Sequence, residues 1–140
     1  MQKKDKMKYL FIIASLIFSI NIFAQTPIDF TKLQEMKEVF FNNGQPFTGE
    51  CFQNYPSGQK GMEGSFKDGK RDGIWNWYYD DGSRKRETNY RWGKMHGLSI
   101  IWYKNGQKRS EIVYDMGQNV KQIRWDEEGN FLPPPTFGGQ

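Results

Sequence analysis

"GKRDGIWNWYYDDGSRKRETNY", Gly69 to Tyr90, is followed after Arg91 and Trp92 by "GKMHGLSIIWYKNGQKRSEIVY", Gly93 to Tyr114. The two stretches keep their glycines, aromatics and one acid while most other positions change. A shift of 24 residues superimposes, without a gap, Glu63, Glu87 and Glu111, then Phe66, Tyr90 and Tyr114, then Gly69, Gly93 and Gly117. It also aligns Gly49, Gly73 and Gly97, the turn glycines Gly58, Gly82 and Gly106, and the aromatics Tyr55, Tyr79 and Tyr103. Self-similarity at one fixed period of this size marks a repeat architecture. At the carboxyl end the phase slips by one, so that Trp102 is answered by Trp125, and at the amino end "NNGQPFTGECF" carries one extra residue between Gly44 and Gly49.

Each unit reads as a β-hairpin. "DDGS" and "KNGQ" are glycine-containing turns between runs rich in aromatic and β-branched residues, and Asp-Gly and Asn-Gly are strong hairpin signals because such turns need positive φ. The corners "KDGKRDG" and "RWGKMHG" place two glycines four apart and turn the chain into the next hairpin. β-formers dominate and no turn-free stretch is long enough for several helical turns. The expected fold is all-β: an antiparallel β-hairpin array of about eight strands in a single twisted or curled sheet, preceded by a short signal helix. The expected boundaries are a signal peptide at 1–24, a lead-in at 25–42, hairpin repeats at 43–131 and a Pro/Gly-rich tail at 132–140.

Alternation along the strands leaves the buried face to be chosen. Ile74, Asn76 and Tyr78 continue as Leu98, Ile100 and Trp102 and then Ile123 and Trp125, whereas Trp75, Trp77 and Tyr79 continue as Ser99, Ile101 and Tyr103 and then Gln122 and Arg124. The more consistently apolar first set is expected to form the core. The return strand has two registers, with Tyr114 opposite Gly97 across a two-residue turn or opposite His96 across a three-residue turn with a glycine bulge. One residue of slip exchanges the faces. The lead-in "TPIDFTKLQEMKEVFF" reads as a short helix or an extended segment, with Asp29 or Thr31 as a cap. "FLPPPTFGGQ" lacks the donors of a central strand and reads as a polyproline-like tail.

The first two dozen residues run from Lys3, Lys4, Lys6 and Lys8 through an apolar stretch to Ala24, the pattern of a secretory signal peptide cleaved near Ala24 and Gln25. The apolar run is shorter than the roughly 20 residues of a retained span. The chain is therefore expected to be exported, periplasmic or secreted, without a retained transmembrane helix. The whole chain carries +4, and 1–24 holds four lysines and Asp5, so the remainder carries about +1. That balance argues against a nucleic-acid partner.

The unit "YRWGKMHGLSIIWYKNGQKRSEIVY" and its looser copy "FKDGKRDGIWNWYYDDGSRKRETNY" resemble the MORN-repeat family, and more closely its bacterial variant, with Tyr-x-x-Gly-Lys-x-x-Gly, then Trp-Tyr-x-x-Gly and a downstream Glu-x-x-Tyr. The resemblance covers about 43–130 and departs at "MGQNVKQIRW", where Lys121 stands in place of the second glycine. It implies a β-hairpin array that contacts partners, with scaffolding or membrane-surface association in the wider family and antitoxin-like labels in the variant group. For an exported chain an immunity or adaptor role fits better than a cytosolic antitoxin.

Catalysis needs an acid, base or nucleophile held together, and after residue 24 the chain has one histidine, His96, and one cysteine, Cys51, with no metal-ligand spacing. No cofactor or metal is expected, and "YDDGS" supplies too few oxygens in series for a calcium loop. Glu63, Glu87 and Glu111 read as a structural ladder, each bonding the backbone or a cation on the adjacent strand. Cys51 is expected to be buried, and Arg84, Lys85 and Arg86 to be a solvated strand. Trp75, Trp77, Tyr79, Tyr103 and Tyr55 are the candidate partner-binding residues, since aromatics with polar tips combine contact area and a hydrogen bond; the alternative is that they pack together over a thin sheet and are structural. The expected function is non-enzymatic binding of a protein partner, with a cell-envelope glycan stacked on the same rings as the alternative.

Overall fold

The computed structural model describes residues 25–134. The expected signal segment with its helix, and the end of the tail at 135–140, lie outside the described residues. The described residues form one open sheet of nine strands, to which the repeats give all but the short edges, and a separate sheet of three near the amino-terminal end. The expected all-β antiparallel hairpin sheet is present, with nine strands counting its two-residue edges, Ile28–Asp29 and Phe131–Leu132, and the separate three-stranded sheet corrects the expectation of a single sheet.

The large sheet runs in the order β1 (Ile28–Asp29), β5 (Gly49–Asn54), β6 (Lys60–Lys67), β7 (Lys70–Tyr78), β8 (Arg84–Arg91), β9 (Lys94–Trp102), β10 (Lys108–Asp115), β11 (Gln118–Trp125) and β12 (Phe131–Leu132). Every pairing is antiparallel except β1 with β5. The small sheet joins β2 (Gln34–Met36), β3 (Val39–Asn42) and β4 (Gln45–Pro46). Between them lies a single 3-10 turn, Phe30–Lys32, capped by the Asp29 carboxylate, which accepts from the Thr31 amide and hydroxyl. The tail contributes the two-residue edge strand β12 and then Pro133 and Pro134, outside any strand.

Two turn types alternate. At the corners only two residues separate paired strands, with Asp68 and Gly69, Trp92 and Gly93, and Met116 and Gly117 all at positive φ, as a type I′ turn requires. At the tips a three-residue connection ends on a left-handed glycine: the Tyr103 amide donates to the Gln107 carbonyl and the Gly106 amide to the Tyr103 carbonyl, a pattern repeated at Tyr55 and Tyr79. This is the glycine-bulge turn, yet Tyr114 faces Gly97. Both registers are present along the same hairpin because a second bulge at Arg109, between Lys108 and Ser110, adds back the residue that the turn removes. Gly61 and Lys85 sit in the equivalent bulges.

A third irregularity sets the repeat length. Where β8 spends one residue between Thr88 and Tyr90, β9 spends three between Met95 and Ser99, and β6 and β7 do the same around Gly73. Gly73 and Gly97 take φ of 72° and 84° there. In the last unit Lys121 replaces the glycine, and β11 carries one extra residue instead of two. The slip from 24 to 23 in the sequence is this missing residue.

The core lies on the Trp75 face, so the expected burial of the Ile74 face is corrected. Row by row, Trp75 pairs with Thr88, Thr88 with Ser99, Ser99 with Ile112, and all four are buried. On the opposite face Ile74 and Leu98 are 58% and 48% exposed. The lead-in decides this: Phe30, Phe40 and Phe47 lay their rings on Phe66, at 6.3, 4.7 and 5.9 Å between centroids, and Phe66 stands edge-on to Trp75 at 5.0 Å. Gly64, beside Trp75, leaves no room for a side chain, since an added Cβ would lie inside the indole. The indole Nε1 donates to the Ser65 carbonyl at 3.0 Å.

Gly64→Ala is therefore expected to destabilise the fold by about 1–3 kcal/mol through overpacking, read as a lower urea midpoint at unchanged slope. Trp75→Ala, which empties the centre of the cluster, is expected to cost about 3–5 kcal/mol. A smaller loss for Trp75→Ala than for Gly64→Ala would show that the indole is not the centre of the core.

Candidate functional site

Of the five expected contact residues, Trp75 is fully buried and is corrected from a partner-binding residue to the centre of the core. Trp77 is half-buried beside it, with ring centroids 6.1 Å apart. The three tyrosines form a seam. Tyr55 donates its hydroxyl to the carbonyl of Tyr78 at 2.8 Å, Tyr79 to that of Trp102 at 2.8 Å, and Tyr103 to that of Trp125 at 3.0 Å. Each bond ties one hairpin tip to the next repeat. The bulge residue covers each ring: Gly61 lies against Tyr55, the Lys85 ammonium over Tyr79, and the Arg109 guanidinium over Tyr103.

The opposite margin has a matching seam. The turn amides of Gly69, Gly93 and Gly117 donate to the carbonyls of Phe47, Arg71 and Met95 at 2.7, 2.9 and 2.8 Å. The structural roles expected for Gly69, Gly93 and Gly117 thus include a hydrogen bond from each repeat to the one before it.

Glu63 and Glu111 take their cations from their own strands rather than from the adjacent one, which corrects that part of the expected ladder. Positions three apart on a regular strand point to opposite faces, but the bulge at Gly61 puts Lys60 and Glu63 on the same face, 2.6 Å apart, and the bulge at Arg109 does so for Lys108 and Glu111 at 2.6 Å. Glu63 also accepts from the Tyr78 hydroxyl at 2.6 Å. The Lys60 and Tyr78 hydrogen bonds hold the Glu63 carboxyl below its ordinary range, while burial, with Glu63 beside it, pushes Tyr78 up to about 12. At Glu87 the equivalent cation, Arg84, lies over the Trp102 ring instead, its guanidinium carbon 5.9 Å from the centroid.

Cys51 is buried as expected, and desolvation pushes its thiol up to about 12, so it stays a thiol at neutral pH and is a poor nucleophile. His96 Nδ1 on β9 lies 3.4 Å from the Asp115 carboxylate on the paired strand β10, at the corner margin. Among the described residues no group of three or more His, Cys, Asp or Glu is gathered as a metal site, and no helix is long and apolar enough to cross a membrane.

The open face is the surface that the sequence reading placed in the core. One row crosses it from Ile74 through Asn89, Leu98 and Val113 to Lys121, and a second from Glu63 through Asn76, Glu87, Ile100 and Glu111 to Ile123. Ile74, Leu98 and Val113 are exposed, and no second layer of described residues packs on them.

The family model described as MORN repeat variant matches residues 71–91 and 95–116. The two matched stretches fall on the hairpins β7–β8 and β9–β10 and cover less than half of the chain, which is thus similar to the MORN repeat variant over those two hairpins. The hairpin β5–β6 lies outside the matched residues but has the same tip turn, bulge and tyrosine bond. No curated protein and no solved structure matches the chain.

Tyr79→Phe and Tyr103→Phe are each expected to lose about 0.5–1.5 kcal/mol and to raise amide exchange at the neighbouring tip; unchanged exchange would show that the seam carries no load. For Glu63 the folded pKa lies below the ordinary 4.5, so its contribution is present above that value and is lost as pH falls through the lowered one. Melting temperature measured from pH 6 to about pH 3 is expected to fall less for Glu63→Gln than for the parent.

Proposed function

We propose that this chain is an exported, non-enzymatic protein-binding module with an immunity or adaptor role, and that its contact surface is the open sheet face. The observation that carries this reading is the set of exposed aliphatics on one face, Leu98 and Val113 paired on adjacent strands and Ile74 one strand further, beyond Asn89 of β8, with no covering layer among the described residues. Contiguous exposed apolar side chains rimmed by polar ones mark contact surfaces. Here the rim is acidic and basic in alternation: Glu63, Glu87 and Glu111 in one direction, Lys60, Lys108 and Lys121 around them. Such a surface fits a folded protein that presents an apolar ridge with mixed charges beside it.

MORN-variant repeats are in general binding modules rather than enzymes, which supports the non-catalytic reading, and the buried, protonated Cys51 offers no nucleophile. Glycan stacking on the tyrosines is less well supported, because their hydroxyls are committed to backbone carbonyls and their rings are half-buried under the bulge residues.

Capture of an envelope protein by the parent chain, and its loss for Ile74→Lys/Leu98→Lys at unchanged melting temperature, is the expected outcome of affinity purification from the cell envelope. Equal capture by the double variant would remove the open face from the interaction. Retention on insoluble glycan without a protein partner would reverse the assignment of the ligand.

A further inference from the structure

Arg71, the second residue of β7, is held in an unusual way. Its guanidinium carbon lies 4.8 Å from the centroid of the Trp75 ring, 5.5 Å from Phe40 and 5.7 Å from Tyr90. No salt bridge joins it to a described carboxylate, and its Nε is shielded from solvent without a hydrogen-bond partner. Stacking uses the faces of a guanidinium, and the N–H donors lie in its plane. The aromatic clamp therefore fixes the orientation of the cation and leaves donors unspent. With Nε closed off by the protein and no acceptor among the described residues on the terminal nitrogens, those terminal donors are the ones left for an oxyanion.

The surroundings narrow the ligand. Arg71 lines a cavity of about 700 Å³ at the corner margin together with Lys37, Lys70 and Lys94, against which stand the two carboxylates of Glu35 and Glu38. Trp92 and Met116 also line it, 59% and 41% exposed, each at a positive φ of 55° or 46°. Bulky side chains are uncommon in the left-handed region, and here they are not repaid by burial. An exposed indole and thioether beside a cationic floor suit apolar side chains next to carboxylates and offer nothing to a free phosphate.

We propose that this cavity is a binding site for an acidic polypeptide segment of a partner, with Arg71 receiving a carboxylate in bidentate fashion, Lys70 and Lys94 adding charge, and Trp92 and Met116 gripping the apolar side chains in between. The site lies at the corner margin and is separate from the open face, so the two assignments stand or fall independently.

The test uses the full chain and a synthetic hexapeptide, Asp-Leu-Glu-Phe-Asp-Glu, titrated by calorimetry and by tryptophan fluorescence, with the Asn/Gln analogue and inorganic phosphate as comparisons. Arg71→Met is the decisive variant, because the next repeat carries methionine at the corresponding position, Met95, and so accommodates it. The expected result is binding of the acidic peptide that weakens by about tenfold or more for the amide analogue and for Arg71→Met, at unchanged binding for Ile74→Lys/Leu98→Lys. Absence of binding by the parent, equal binding by Arg71→Met, or displacement of the peptide by phosphate at comparable concentration would overturn the proposal. Should Arg71→Met fail to fold, Trp92→Ser on the exposed rim decides: weaker binding supports the site, and unchanged binding overturns it.

Discussion

Each hairpin of this chain is fastened to the next at both margins by one hydrogen bond spanning 22 or 23 residues: a tyrosine hydroxyl to a carbonyl at the tips, a turn-glycine amide to a carbonyl at the corners. A lone hairpin is marginal in water, and strand pairing alone leaves its two ends free to fray. Fixing both ends forces every unit to present the same length to its neighbour. Three local irregularities supply that length: the glycine bulge at the tip, a second bulge after it and the two-residue excess around Gly73 and Gly97. A change in one of them is felt at both margins, and in the final unit Lys121 and the one-residue excess coincide with Asp126 at the position that would otherwise bear a pinning tyrosine.

The nearest-neighbour character of these contacts is what a quasi-one-dimensional array requires. It also concentrates hydrophobic burial at one end. The ring cluster of Phe30, Phe40, Phe66, Trp75 and Tyr90 belongs to the first units and to the lead-in, whereas further along the same face the buried side chains are Thr88, Ser99, Ser110 and the single aliphatic Ile112. The hydroxyls of Thr88 and Ser99 satisfy one another at 2.7 Å, with Arg86 Nε donating to Thr88 at 2.8 Å, so a small polar row is buried without orphaned oxygens.

The repeat, its turns and its all-β class were legible because glycine position and strand alternation are local properties. The buried face was not legible, for two physical reasons. The cover comes from Phe30 and Phe40 of the lead-in, which lie outside the periodic part, and from Phe47, whose counterparts Arg71 and Met95 are not aromatic, so that no period reveals it. The row beneath is built of small hydroxyl residues, which a count of apolar side chains scores as solvent-facing. The tyrosines were visible as periodic aromatics, but a hydroxyl aimed at a carbonyl in the next repeat has no signature in a single unit. Gly64 escaped notice because Thr88 and Ile112 occupy the equivalent positions, and only the neighbouring indole makes glycine necessary there. The same-face pairing of Lys60 with Glu63 depended on bulges that alternation cannot foresee.

The single thiol of the described chain lies under this cluster, at the junction of the lead-in with the first hairpin. Cys51 pairs with Ile28 on one side and Gly64 on the other and packs in the ring cluster, so it is covered only while β5 stays paired and the cluster stays in place. An alkylating reagent in the surrounding medium thus reaches it at the frequency with which the first hairpin detaches, which makes the side chain a built-in clock for breathing at the amino-terminal end of the array.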